Sequence, residues 1–155
     1  MTTLLDTNVI SALLKDEHAF HQWAVNMIAE RRLEGPTIIS DIIYCEALMA
    51  FPSPAELNEA LVRLGIERIS TSDQAHFLAG RAYLKYKAQK HGQFKEGVVP
   101  DFIVGAIAVA EGIPLMTANP KDIIKYFPDA LLLQPPPANI AGPPQADDFV
   151  DLPGG

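Results

Sequence analysis

The run Thr2-Thr3-Leu4-Leu5-Asp6 decides how the rest of the chain is read. Its first four residues have the composition of a short strand, and the acid that closes them stands where the strand leaves the core. Outward from it, strand-like and helix-like segments alternate. A short helix over 8–14 and a longer one over 19–33 follow, the second carrying Phe20, Trp23, Met27 and Ile28 at helical spacing. Gly35-Pro36 breaks that helix, and Thr37-Ile38-Ile39 is a second strand. Ser40 or Asp41 can cap the next helix, which carries Glu46 and stops at Phe51-Pro52-Ser53-Pro54.

The alternation continues with a helix over 55–64, a strand over 67–69 and a long helix from Asp73 to about Lys90, capped by Thr71-Ser72-Asp73 and closed by His91-Gly92. Pro100 suits a first helical position, which places Asp101 in the first turn of a helix ended by Gly112. A fourth strand over 114–117, a short helix over 120–126 and a fifth strand over 130–133 complete the pattern. Such alternation predicts an α/β fold in three layers, a parallel sheet of four to five strands between helices. Ligands of such sheets bind beyond the carboxyl ends of the strands, where Asp6 and Asn119 would both lie.

Two further acids keep company as apolar as that of Asp6. Glu46 lies on the apolar stripe of Ile42-Ile43-Tyr44-Cys45-Glu46-Ala47-Leu48, and Asp101 opens the apolar segment over 102–110. Singly, each has a structural explanation: Asp6 can cap a helix, Asp101 can complement a helix dipole, and Glu46 can pair with a Lys or Arg. Together they suggest a site, because unpaired carboxylates are costly to bury near one another without a cation. Oxygen ligands without clustered cysteine or histidine suit Mg2+ or Mn2+. His18 and His21 can share a helix face but have no evident third ligand, and His76 and His91 read as surface or capping residues.

Composition bounds the rest. A chain of 155 residues with 48% hydrophobic and 20% charged residues is enough for a single core. No apolar run is long enough for a membrane span, and Met1 is followed by no leader pattern, which leads us to expect a cytoplasmic protein. The lone Cys45 fits a reducing compartment. Net charge is −7, yet no acid lies between Asp73 and Glu96, where Arg81, Lys85, Lys87, Lys90 and Lys95 fall beside Tyr83, Tyr86 and Phe94. That helix is either an ordinary solvated face or a track for a phosphate backbone. From Pro135 onward the Pro- and Gly-rich sequence reads as a disordered tail, so the domain is expected to span 1–134.

Four motifs in order, Leu4-Leu5-Asp6-Thr7-Asn8-Val9-Ile10, Glu46 in an apolar helix, Pro100-Asp101 before an apolar helix, and Thr117-Ala118-Asn119-Pro120-Lys121-Asp122 after a strand, resemble a PIN domain, in particular the VapC-type toxins of toxin–antitoxin pairs. The resemblance covers residues 1 to about 133. It implies a parallel α/β/α sandwich, Mg2+- or Mn2+-dependent endoribonuclease activity on RNA, frequent homodimers and a small antitoxin partner encoded nearby. It carries Asp6, Glu46 and Asp101 over as metal ligands and catalytic residues, with Asn119 at a fourth position where many members have Asp. Thr117 and Asn8 would support these ligands from behind. Two other readings stay open. One is a PIN-like module that binds RNA or protein without cutting. The other is a Mg2+-dependent phosphatase or phosphotransferase with Asp6 as nucleophile, although Asn8 stands where the haloacid-dehalogenase pattern has its second Asp.

Overall fold

The computed structural model describes residues 1–90, 93 and 98–137. Five strands and seven helices alternate among them: β1 (Thr3–Leu5), α1 (Thr7–Leu14), α2 (His21–Glu34), β2 (Thr37–Ser40), α3 (Asp41–Leu48), α4 (Pro54–Leu64), β3 (Ile66–Ile69), α5 (Asp73–Lys90), α6 (Val98–Glu111), β4 (Leu115–Met116), α7 (Lys121–Tyr126) and β5 (Leu132–Leu133). All neighbouring strands pair parallel, in the order β3-β2-β1-β4-β5. The molecule is a three-layer α/β/α sandwich, as the alternation predicts.

Strand burial follows that order. Leu4, Leu5, Ile39, Leu115 and Met116 are fully enclosed, the signature of a sheet covered on both faces. On the edge strand β3 only Ile66 is buried, and Glu67 and Arg68 are exposed, which discourages further strand pairing. Against the sheet, α6 contributes Phe102, Val104 and Ile107 to the core and packs closely on α5.

Local signals behave as expected, with three differences. The Ser72 hydroxyl accepts the N–H of Ala75 in the first turn of α5, and Ser53, read in the sequence only as part of a break, caps α4 by accepting the Glu56 N–H. Gly65 and Gly112 end α4 and α6 with φ of 67° and 61°, where a Cβ would be strained. The first difference is that α6 begins at Val98, so Pro100 is its third residue. This forfeits no hydrogen bond, since the first four N–H groups of a helix have no acceptor within it. Second, α2 starts at His21, where the His18 ring, and not a side-chain cap, accepts the Phe20 N–H. Third, Ser40 occupies the cap of α3 without using its hydroxyl, which is buried with no hydrogen-bond partner among the described residues.

Among the described residues no helix is long and apolar enough to cross a membrane. The expected closure of α5 at His91-Gly92, Lys95, and the tail beyond Pro137 lie outside the described residues.

Candidate functional site

The sheet order reverses at β1. From β1 the chain moves outward to β2 and β3, then returns to place β4 and β5 on the other side. The carboxyl ends of β1 and β4 therefore bound the crevice in which open α/β sheets bind ligands. Asp6 and Thr117 are the first residues beyond those two strands. The Asp6 N–H donates to Met116 O at 3.0 Å, so the strands are still paired where the two side chains emerge.

Asp6 is only 5% exposed and both carboxylate oxygens are engaged. Oδ1 accepts the Thr7 N–H at 2.8 Å, so Asp6 caps α1, as its sequence position suggests. Oδ2 accepts the Thr117 hydroxyl at 2.8 Å and the Asn8 amide at 3.2 Å. Asn8 in turn accepts the Ala118 N–H at 2.9 Å, fixing which end of its amide faces Asp6. Asn8 and Thr117 thus both donate to the Asp6 carboxylate. The helix-capping role of Asp6 uses only one of its two carboxylate oxygens.

Glu46 reaches the same place from α3. Its Oε1 accepts the Thr7 hydroxyl at 2.8 Å, while the Thr7 N–H serves Asp6. Thr7 thereby bridges two acids 40 positions apart in the sequence, a role not read from the sequence. The available signal was a hydroxyl residue immediately after a strand-ending acid. Burial pushes the Asp6 carboxyl above its ordinary range, against the three donors that favour the charged form. Burial also raises Glu46, and the neighbouring Asp6 charge raises it further. Among the described residues neither acid has a Lys, Arg or His ion-pair partner.

The other expected members lie less close. Asp101 is half-buried in the first turn of α6, which packs against α3. Among the described residues, however, no three His, Cys, Asp or Glu side chains are grouped closely enough to hold a metal ion. The structure thus brings together two carboxylates of the expected three. Asn119 is exposed and joins the network through its backbone, its N–H donating to the Thr117 hydroxyl at 3.1 Å.

Comparison with known proteins gives this arrangement its place. The family model for the PIN domain matches residues 3–126. The chain belongs to the PIN domain family. A comparison with curated proteins gives no significant match. Among solved structures, this PIN domain is similar in fold to VapBC2 from Rickettsia felis bound to a promoter DNA fragment, at 21% identity and TM-score 0.60, covering 86% of this chain and 98% of that one. It is similar to VapBC-1 from nontypeable Haemophilus influenzae at 19% identity and TM-score 0.62, with the same coverage. FitAcB from Neisseria gonorrhoeae follows at 19% and 0.60, covering 84% and 96%.

In this PIN domain the basic residues expected along α5 do not form one face. At 3.6 residues per turn, Lys85 and Lys87 point about 160° apart. Arg81 and Lys85 share one flank, and the Arg81 guanidinium lies 5.0 Å from the Phe77 ring. Lys87 and Lys90 share another, 5.6 Å from the Tyr83 ring and 5.8 Å from the Tyr86 ring respectively. Elsewhere, His18 and His21 serve local structure, His21 by contacting Ala12 O at 2.7 Å through Nδ1. Phe20, Trp23 and Met27 are half-buried against the core, Phe20 standing edge-on to Trp23.

Proposed function

We propose that this PIN domain is a divalent-metal-dependent endoribonuclease and the toxin of a toxin–antitoxin pair. The observation that carries the reading is the Asp6–Thr7–Glu46 arrangement: two desolvated carboxylates, one raised by the other's charge, with no ion-pair partner among the described residues. Such a pair lacks only positive charge, and its oxygen donors fit Mg2+ or Mn2+. Asp6 and Glu46 would hold the ion, and Asp101, by the family resemblance, would complete the carboxylate set. The ion would offset negative charge developing on a phosphodiester and lower the pKa of a water bound to it.

What the protein's own groups supply is placement. Thr117, Asn8 and the Thr7 backbone fix Asp6 by three hydrogen bonds, so the carboxylate needs no reorganisation when charge changes beside it. The Thr7 hydroxyl keeps Glu46 turned toward Asp6. Asn119, exposed at the rim, would offer a neutral carbonyl oxygen to substrate-side charge. The VapBC and FitAcB complexes support a small antitoxin as partner, and an Arg or Lys from it would satisfy the same two acids. A homodimer and a cytoplasmic location belong to this reading too.

A second reading has one observation in its favour. With no described three-acid cluster, the domain would bind RNA or protein without cutting it. Metal titration of RNA cleavage in wild type and Glu46→Gln separates the two. The nuclease reading expects metal-dependent cleavage that the variant loses. Absence of cleavage at any Mg2+ or Mn2+ concentration leaves the binding module. Loss of cleavage on adding the small protein encoded beside this one tests the toxin assignment.

A further inference from the structure

The chain is acidic overall, yet cations collect where α5 and α7 meet. Lys90 Nζ stands 5.8 Å from the Tyr86 ring, and Lys125 Nζ 5.2 Å from the Tyr126 ring. These rings pack on each other at 5.9 Å, and the Tyr126 hydroxyl reaches Gln89 Oε1 at 3.4 Å. Both also pack edge-on against Phe102, at 5.6 Å and 4.8 Å, so one aromatic cluster carries a lysine from each helix. Lys121 is a third, about 40° round α7 from Lys125, and both lysines are exposed.

The patch adjoins the candidate site twice through the chain. Phe102, at its base, directly follows Asp101, and Lys121 lies two residues beyond Asn119. No ion pair joins Lys90, Lys121 or Lys125 to a described acid. Lysines with no ion pair among the described residues, close along the chain to Asp101 and Asn119, have a natural counterpart in a polyanion that crosses the site.

We propose that Lys90, Lys121 and Lys125 form a two-helix track for the phosphates of single-stranded RNA leaving the Asp6 site. The proposal rests on the ribonuclease reading. It excludes Arg81 and Lys85, which share α5 with Lys90 but face elsewhere. Neither lysine of α7 stands out in the sequence, where α7 reads only as a short connecting helix. Only the fold brings it beside the end of α5.

The test is equilibrium binding of a single-stranded RNA oligonucleotide in EDTA across a salt series, for wild type, K121A/K125A and R81A/K85A. All four residues are exposed, so the variants are expected to fold. Two lost phosphate contacts, at about 0.7 each, should lower the salt slope by about 1.4 in K121A/K125A. The slope of R81A/K85A should match wild type. An unchanged slope in K121A/K125A, or an equal loss in R81A/K85A, overturns the track. If wild type then still cleaves RNA with metal, the ribonuclease reading stands without it. A wild type that neither binds nor cleaves RNA removes both.

Discussion

The Thr117 hydroxyl lies 2.8 Å from Asp6 Oδ2, although 111 positions separate the two residues in the chain. Thr117 is fully buried, and its oxygen also accepts the Asn119 N–H. Thr117→Val keeps the shape and removes the hydrogen bonds. It should destabilise the protein by about 1–3 kcal/mol, because a buried carboxylate and an N–H lose a partner together. Chemical denaturation of wild type and variant measures this; equal midpoints and slopes would mean that the hydroxyl contributes nothing to holding Asp6.

The two carboxylates should respond differently to amide replacement. Glu46 accepts one hydrogen bond, from a hydroxyl that can rotate, so Glu46→Gln should leave the metal-free melting temperature unchanged or slightly raised. Asp6 accepts from two N–H groups and a hydroxyl, and Asn8 is locked by its bond to Ala118. In Asp6→Asn an NH2 group must face a donor, which should lower the metal-free melting temperature. Both should abolish metal-dependent cleavage. Equal thermal behaviour of the two variants would contradict the donor count around Asp6.

Stability should depend on pH in opposite senses with and without metal. Both acids have folded-state pKa values raised above their ordinary 3.8 and 4.5. The folded metal-free protein therefore holds protons more tightly than the unfolded chain. That contribution is complete below the ordinary values and is lost as pH rises through the raised ones. A divalent ion needs the charged forms, so its stabilisation should grow over the same interval. Melting curves with EDTA and with Mg2+, from pH 4 to pH 8, should diverge upward. A gap constant across pH would place metal binding away from these acids.

Two helical glycines make a paired test of packing. A Cβ on Gly80 would meet nothing within 4 Å, so Gly80→Ala, on the solvent-facing side of α5, should stabilise that helix by about 0.5–1 kcal/mol. A Cβ on Gly105 would sit 2.5 Å from Phe127 Cδ2, inside a buried ring contact. Gly105→Ala should destabilise by about 1–3 kcal/mol as α6 and α7 are forced apart. Thermal denaturation of the two variants should move in opposite directions.

The fold was legible because each local signal agreed with the next. Strand-ending Asp6, the Gly35-Pro36 break, the Ser72 cap and Gly112 all act through bonds to near neighbours, which a sequence displays directly. The site was legible in its members but not in its closeness. Nothing local tells that Thr7 spans Asp6 and Glu46, or that Asp101 falls short of a described three-acid group. Those depend on how α3 and α6 settle on the sheet. The α5 cations show the same limit, since a run of lysines in sequence becomes two flanks once 3.6 residues make a turn.

The placement of β1 between β2 and β4 has a consequence for a chain still being synthesised. A growing polypeptide that has released β1, β2 and β3 owns Asp6 and Glu46 but has not yet made the strand that brings Thr117 beside them. Only when β4 slots in next to β1 is the Asp6 carboxylate held by its full set of donors. Whatever chemistry the crevice performs is thereby withheld until β4 and Thr117 have been translated and docked, a delay that follows from strand order.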